Sequence, residues 1–150
     1  AKQLQPRIRN QNAILEIILN TAARRCEQEA IQLSLEIEDF PMDFLSDMDT
    51  TTIFSNLLDN AIDACMELDR SVKRIEVVLC QKMGLLALRM TNTCQAAADL
   101  SPRQWYSTKK DHMGIGLSNV RKTVEKYHGV VSVRTKEELF QVSVTIPIKS

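Results

Sequence analysis

The sequence predicts an α+β two-layer sandwich, a mixed and mostly antiparallel sheet covered on one face by helices. Three observations carry that expectation. Segments of helical and of two-residue hydrophobic period follow one another as helix, strand, helix, two strands, irregular segment, helix, two strands. The paired strands are separated by short turns, which makes antiparallel hairpins. The chain has 150 residues, 44% of them hydrophobic and 25% charged. A chain of that size hides roughly 70% of its unfolded surface without a staple or a metal.

Over residues 8–30, Ile14, Ile17, Ile18, Ala22 and Cys26 recur at helical spacing, and Pro6 stands where a helix start tolerates it. Leu15 and Leu19 fall off that stripe, which suits contacts on a second side. IQLSLEI, residues 31–37, alternates apolar with polar and reads as a half-buried strand, followed by a loop through Pro41. Asp47, Asp49 and Thr50 to Thr52 offer caps for IFSNLLDNAIDACMEL, a helix running to about Leu68. VKRIEVVLC and LLALRMTN pair as a hairpin, 72–80 with 85–92, across the turn QKMG. Residues 93–113 hold no period, and irregular connections of ~20 residues inside compact domains are usually functional lids or disordered. GIGLSNVRKTVEKYHG then gives a glycine entry, a helix with Leu117, Val120, Val124 and Tyr127 on one face, and a glycine stop at Gly129. VVSVRTK and LFQVSVTIPI close a second hairpin around Glu137 and Glu138.

Charge excludes some functions. Nineteen basic and nineteen acidic residues cancel, so no broad positive field favours nucleic acid or an anionic membrane surface. Cys26, Cys65, Cys80 and Cys94 form no C-x-x-C pair and have no histidines at metal-ligand spacing. They read as reduced thiols of a cytosolic protein. No window approaches ~18 uninterrupted apolar residues and no signal segment opens the chain. The start at Ala1 without Met suggests a piece of a longer protein.

Three constellations carry chemistry. At 100° per residue Asn56, Asn60, Asp63 and Glu67 share one face of the second helix, opposite Phe54, Leu58, Ala61, Cys65 and Leu68. Such a stripe is a solvated surface or a ligand face. Asn is a poor helix former, and two amides beside Asp63 present oxygens of the kind Mg²⁺ takes along with waters and phosphates. Gly114-Ile115-Gly116-Leu117 opens the third helix with two of only four glycines, where bare N–H groups can cradle phosphate or a turn can need positive φ. Thr108, Lys109 and Lys110 stand just before it, either reaching outer phosphates or solvated. Asn92, at a strand end, either starts a loop or hydrogen-bonds a heterocycle edge.

Taken in order, NLLDNAIDA (56–64), Asn92, STKK (107–110) and GIGLSNVRKTVEKYHG (114–129) resemble the successive nucleotide-binding boxes of the gyrase, heat-shock chaperone, histidine kinase and mismatch-repair ATPase superfamily. Over about residues 12–147 the chain is similar to the catalytic domain of sensor histidine kinases, closest to the quorum-sensing peptide-receptor and citrate-sensor kinds. The resemblance implies a Bergerat (GHKL ATPase) fold holding ATP between the second helix and the lid. By it Asn60 is the Mg²⁺ ligand, with Asn56 and Asp63 on the same face. Asn92 stands where most members carry the Asp that reads adenine, although the usual D-x-G-x-G glycines are missing from Asn92-Thr93-Cys94. Lys109 approaches the γ-phosphate, flanked by Thr108, Lys110 and His112. Gly114, Ile115, Gly116 and Leu117 form the second glycine box.

Asn56 occupies the position where hydrolases of the superfamily carry a water-activating Glu, and an amide is no general base near neutral pH. A site that positions and neutralises charge without a base suits an external nucleophile, in sensor kinases a histidine. Neither His112 nor His128 stands in a phosphoacceptor setting. The resemblance therefore implies residues 1–30 as the tail of an upstream dimerisation helix and 31–150 as the catalytic domain. The acceptor lies on an upstream helical hairpin, a response regulator takes the phosphate, and any membrane contact runs through upstream segments. An ATPase coupling hydrolysis to conformational change, or a silent interaction module of the same fold, are the competing expectations.

Overall fold

A computed structural model describes residues 7–68, 72–95 and 112–148, with backbone alone over 112–115. Its elements are α1 (Ala13–Gln28), β1 (Gln32–Ile37), α2 (Asp47–Met66), β2 (Arg74–Lys82), β3 (Leu85–Thr93), α3 (His112–Lys126), β4 (Val130–Lys136) and β5 (Leu139–Pro147). The five strands form one sheet in the order β1-β2-β3-β5-β4. Only β1 and β2 run parallel, and all other pairs are antiparallel. That one parallel pair requires a crossover, and α2 supplies it.

Period-two patterning turns Ile75, Val77, Leu79, Leu86, Leu88, Met90, Val142, Val144 and Ile146 toward the helices, where they are buried. The reverse face carries Arg74, Glu76, Arg89, Thr91 and Gln141 among its side chains. Met83 and Gly84, with φ of 54° and 77°, make the β2–β3 connection a two-residue turn of left-handed residues, the geometry that matches strand twist. Glu137, with φ 56°, opens the corresponding turn between β4 and β5.

α1 starts at Ala13, later than the expected residue 8, because Asn12 caps it: its side chain accepts the N–H of Leu15 at 3.0 Å. Asn20 then grips both backbone groups of Ile8, at 3.0 and 2.9 Å, so residues 8–12 double back along the helix. The stripe that enters the core is Leu15, Leu19, Ala22 and Cys26, whereas Ile17 is 58% exposed. The two leucines expected off the stripe thus belong to it. α1 is itself one of the packed helices of the sandwich.

The third helix opens at His112, two residues ahead of Gly114. Its end also departs from expectation: His128 adopts the left-handed φ of 63°, the cap role assigned to Gly129. Gly129 is needed for a different reason. A Cβ there would meet the Thr145 carbonyl oxygen at 2.4 Å.

Candidate functional site

α2 lies between α1 and α3, touching both. Asp49, Ile53, Asn56 and Asn60 follow one another at helical steps along the ridge of α2 that meets α3. Ser46 caps this helix, its hydroxyl accepting the Asp49 N–H at 3.0 Å. Thr52 donates to the Met48 carbonyl and Asn56 Nδ2 to the Thr52 carbonyl at 2.7 Å. One of the two Asn56 N–H donors is therefore spent on its own helix, and Oδ1 is turned toward α3. A Cβ built on Gly116 would stand 3.3 Å from Asn56 Oδ1 and 3.5 Å from Asn60 Oδ1. The two expected constellations, amides and glycines, meet here.

Gly116 also has a packing role: its missing side chain lets α3 approach the amides of α2. Of the second glycine box, Gly114, Ile115 and His112 are described in backbone only. Leu117 is fully buried, so its side chain belongs to the core.

Asn60 is 4% exposed, and its Nδ2 has no hydrogen-bond partner among the described residues. An unsatisfied buried amide costs about 1–3 kcal/mol, which an oxygen-rich ligand would recover. The residues fit Mg²⁺ as well. A hard cation needs few protein ligands when phosphates and waters complete its shell, and an amide oxygen of α2 is such a ligand. Among the described residues no cluster of three His, Cys, Asp or Glu could cage a metal.

Asp63 shares the face of Asn60 but is engaged from the other side. Arg25 of α1 reaches it at 3.1 Å and Asp59 at 3.5 Å. Asn92 is 3% exposed on the helix side of β3, between Ile75 and Phe140 in register. Its Nδ2 donates to the Thr93 carbonyl at 2.9 Å, and Thr93 in turn touches Cys65 of α2. Thr108, Lys109 and Lys110 lie outside the described residues. A depression of about 500 Å³ lies by the sheet end near Asn92, lined also by Arg74, Arg89 and Gln141, and includes neither Asn56, Asn60 nor Gly116.

One cluster escaped the sequence reading. Asp49, 7% exposed, receives Lys126 Nζ at 2.8 Å and the Tyr127 hydroxyl. Burial pushes its carboxyl up, but hydrogen bonds from Lys126, Tyr127 and Ser46 outweigh that and hold it below the ordinary value. The pairing with Asp49 raises Lys126. The only sequence signal was Asp49 standing on the ridge of Asn60. Among the described residues no disulfide joins Cys26, Cys65, Cys80 and Cys94. Burial, with Cys65 alongside, pushes the Cys26 thiol up to about 11, which keeps it unreactive.

Residues 45–147 match the family of GHKL domains. No curated protein matches the chain. Among solved structures, a nucleotide-free form of the catalytic domain of histidine kinase ThkA superposes with a TM-score of 0.72 at 18% identity, covering 93% of each chain. Acinetobacter baumannii histidine kinase AdeS gives 0.70 at 15% identity over 94% of this chain, which spans only 66% of that one. The mycobacterial sensor histidine kinase MprB gives 0.66 at 17% identity, covering 89% of this chain and 95% of that one. The shared fold is that of histidine kinase catalytic domains. Among the described residues no helix is long and apolar enough to cross a membrane.

Proposed function

The chain belongs to the GHKL domain family, and from that premise we propose that it binds Mg·ATP and donates the γ-phosphate to a histidine on a separate helical hairpin. It is then the catalytic half of a two-component sensor kinase, with a response regulator as the downstream acceptor. The observation that carries this reading is the buried Nδ2 of Asn60, without a partner among the described residues, whose own Oδ1 lies beside Gly116.

Asn60 would hold the metal through Oδ1 and donate an Nδ2 hydrogen to a phosphate oxygen. The first turn of α3, containing Gly114, offers N–H groups to the same phosphates. When bound, Mg²⁺ supplies charge neutralisation for the transferring phosphoryl group. Asn56 orients rather than deprotonates: one N–H is tied to the Thr52 carbonyl, and an amide abstracts no proton from water. Transfer to an imidazole is favoured over hydrolysis for that reason. Lys109, with Thr108, Lys110 and His112, closes over the γ-phosphate in this proposal. Asn92 accepts from the adenine amino group through its carbonyl oxygen, the amide held in orientation by the bond from Nδ2 to the Thr93 carbonyl. Asp63, held by Arg25, shapes the outer rim.

Calorimetric titration with a non-hydrolysable ATP analogue tests the assignment. Binding is expected to require Mg²⁺ and to vanish in a folded Asn60→Ala variant. Unchanged affinity in that variant, or affinity indifferent to Mg²⁺, overturns it.

A further inference from the structure

We propose that Asp49, Lys126 and Tyr127 form a register pin that fixes how far α3 slides along α2, and so places Gly116 against Asn56 and Asn60. The inference rests on the nucleotide-binding reading of that seam and assigns it three positioning residues.

Two antiparallel helices in contact can slip along each other, because an apolar ridge fits its groove again one turn, about 5.4 Å, further on. Slippage of that size would carry Gly116 away from the amides and bring a residue with a side chain into its place. The seam between α2 and α3 has apolar contacts to contribute, Ile53 and Leu57 on one side and Leu117, Val120 and Val124 on the other. They are non-directional. A directional contact is needed to choose among registers, and the Asp49 cluster is one.

Its placement agrees with that task. Asp49 and Asn60 stand eleven positions apart on α2, and Gly116 and Lys126 ten positions apart on α3, spans of about 16 and 15 Å. The pairs Asp49 with Lys126 and Asn60 with Gly116 are therefore two points of one antiparallel alignment. The Asp49 carboxylate is buried while Lys126 is 61% exposed, so the cation is brought to the acid from the surface. Ser46 and Tyr127 complete its shell, with Tyr127 stacked edge-on against Phe44. A carboxylate of this kind, once desolvated, tolerates only the geometry that keeps its donors. The tolerance at the other end is equally small, since the built Cβ of Gly116 already touches Asn56 Oδ1 at 3.3 Å.

The test uses the whole chain, ¹⁵N-labelled, as wild type, Lys126→Met, Tyr127→Phe, the double variant and Lys126→Arg. Lys126 ends α3 and Tyr127 follows it, and a cooperative thermal transition in each variant establishes that it is folded. In the absence of nucleotide the Asn60 side-chain NH₂ signals are expected to move in the double variant and return in Lys126→Arg. The dissociation constant for a magnesium-loaded non-hydrolysable ATP analogue is expected to rise about tenfold in the double variant. Leu79→Ala, a core change on β2, is expected to lower the melting temperature without altering either readout. Asn60 signals that stay in place in the double variant overturn the pin. Signals that move with no change in affinity overturn its positioning role. A wild type that binds no nucleotide refutes the functional reading instead, while the Asn60 signals still decide whether the register is pinned.

Discussion

The two sides of α2 are built on different principles. Toward α1 the seam is greasy below and ionic above: Leu15, Leu19, Ala22 and Cys26 fill the core, and Arg25 spans Asp59 and Asp63 at the surface. Toward α3 the seam includes polar atoms withdrawn from water, Asn60 and Asp49, together with a residue that has no side chain at all. The first arrangement lowers the free energy of the fold. The second sacrifices some of it, leaving an amide donor without a partner among the described residues. With the proposed function, stability and ligand recognition would be divided between opposite flanks of a single helix.

Cutting into the α1 flank gives the largest stability effect. Leu19→Ala removes a 1% exposed side chain and is expected to cost about 2–5 kcal/mol, read by denaturant titration, with nucleotide affinity of the folded fraction unchanged. A matching loss of affinity would erase the division between flanks. Gly116→Ala probes the other side. Its helix-propensity gain of about 1 kcal/mol is set against a contact at 3.3 Å, so the net stability change is expected within about 1 kcal/mol. Affinity for Mg·ATP, by contrast, should fall clearly. Retained affinity would mean that close approach is not what the glycine provides. The smallest effect is expected for Arg25→Met. Its partners are half-exposed carboxylates, and such pairs contribute about 0–1 kcal/mol. A change in melting temperature corresponding to more than that would promote the ionic layer to a structural element.

Strand patterning was legible because burial on a sheet repeats every two residues, and the hairpins fall where the turns QKMG and Glu137-Glu138 put them. α1 was harder, since apolar residues surround most of its circumference and only packing selects Leu15 and Leu19 over Ile17. Its first residue depended on a side-chain cap from Asn12. The amide face and the glycine box were visible as motifs, but their distance was not: periodicity gives directions about one helix axis, never the gap to the next. Hence the close approach of two helices at Gly116 was not foreseen beside its place in the glycine box. The Asp49 cluster was invisible for a related reason, its donors lying 77 and 78 positions along the chain.

The hairpin-like return of residues 8–12 along α1 has a mechanical consequence. Tension arriving at residue 7 meets the Asn20 bonds to Ile8 first and the Asn10 N–H bond to Glu16 next, so the load falls on one link at a time, as in opening a zip. Because Ile8 also packs against the core, parting those few links would loosen an apolar contact as well, and a pull at residue 7 reaches the core through the strap.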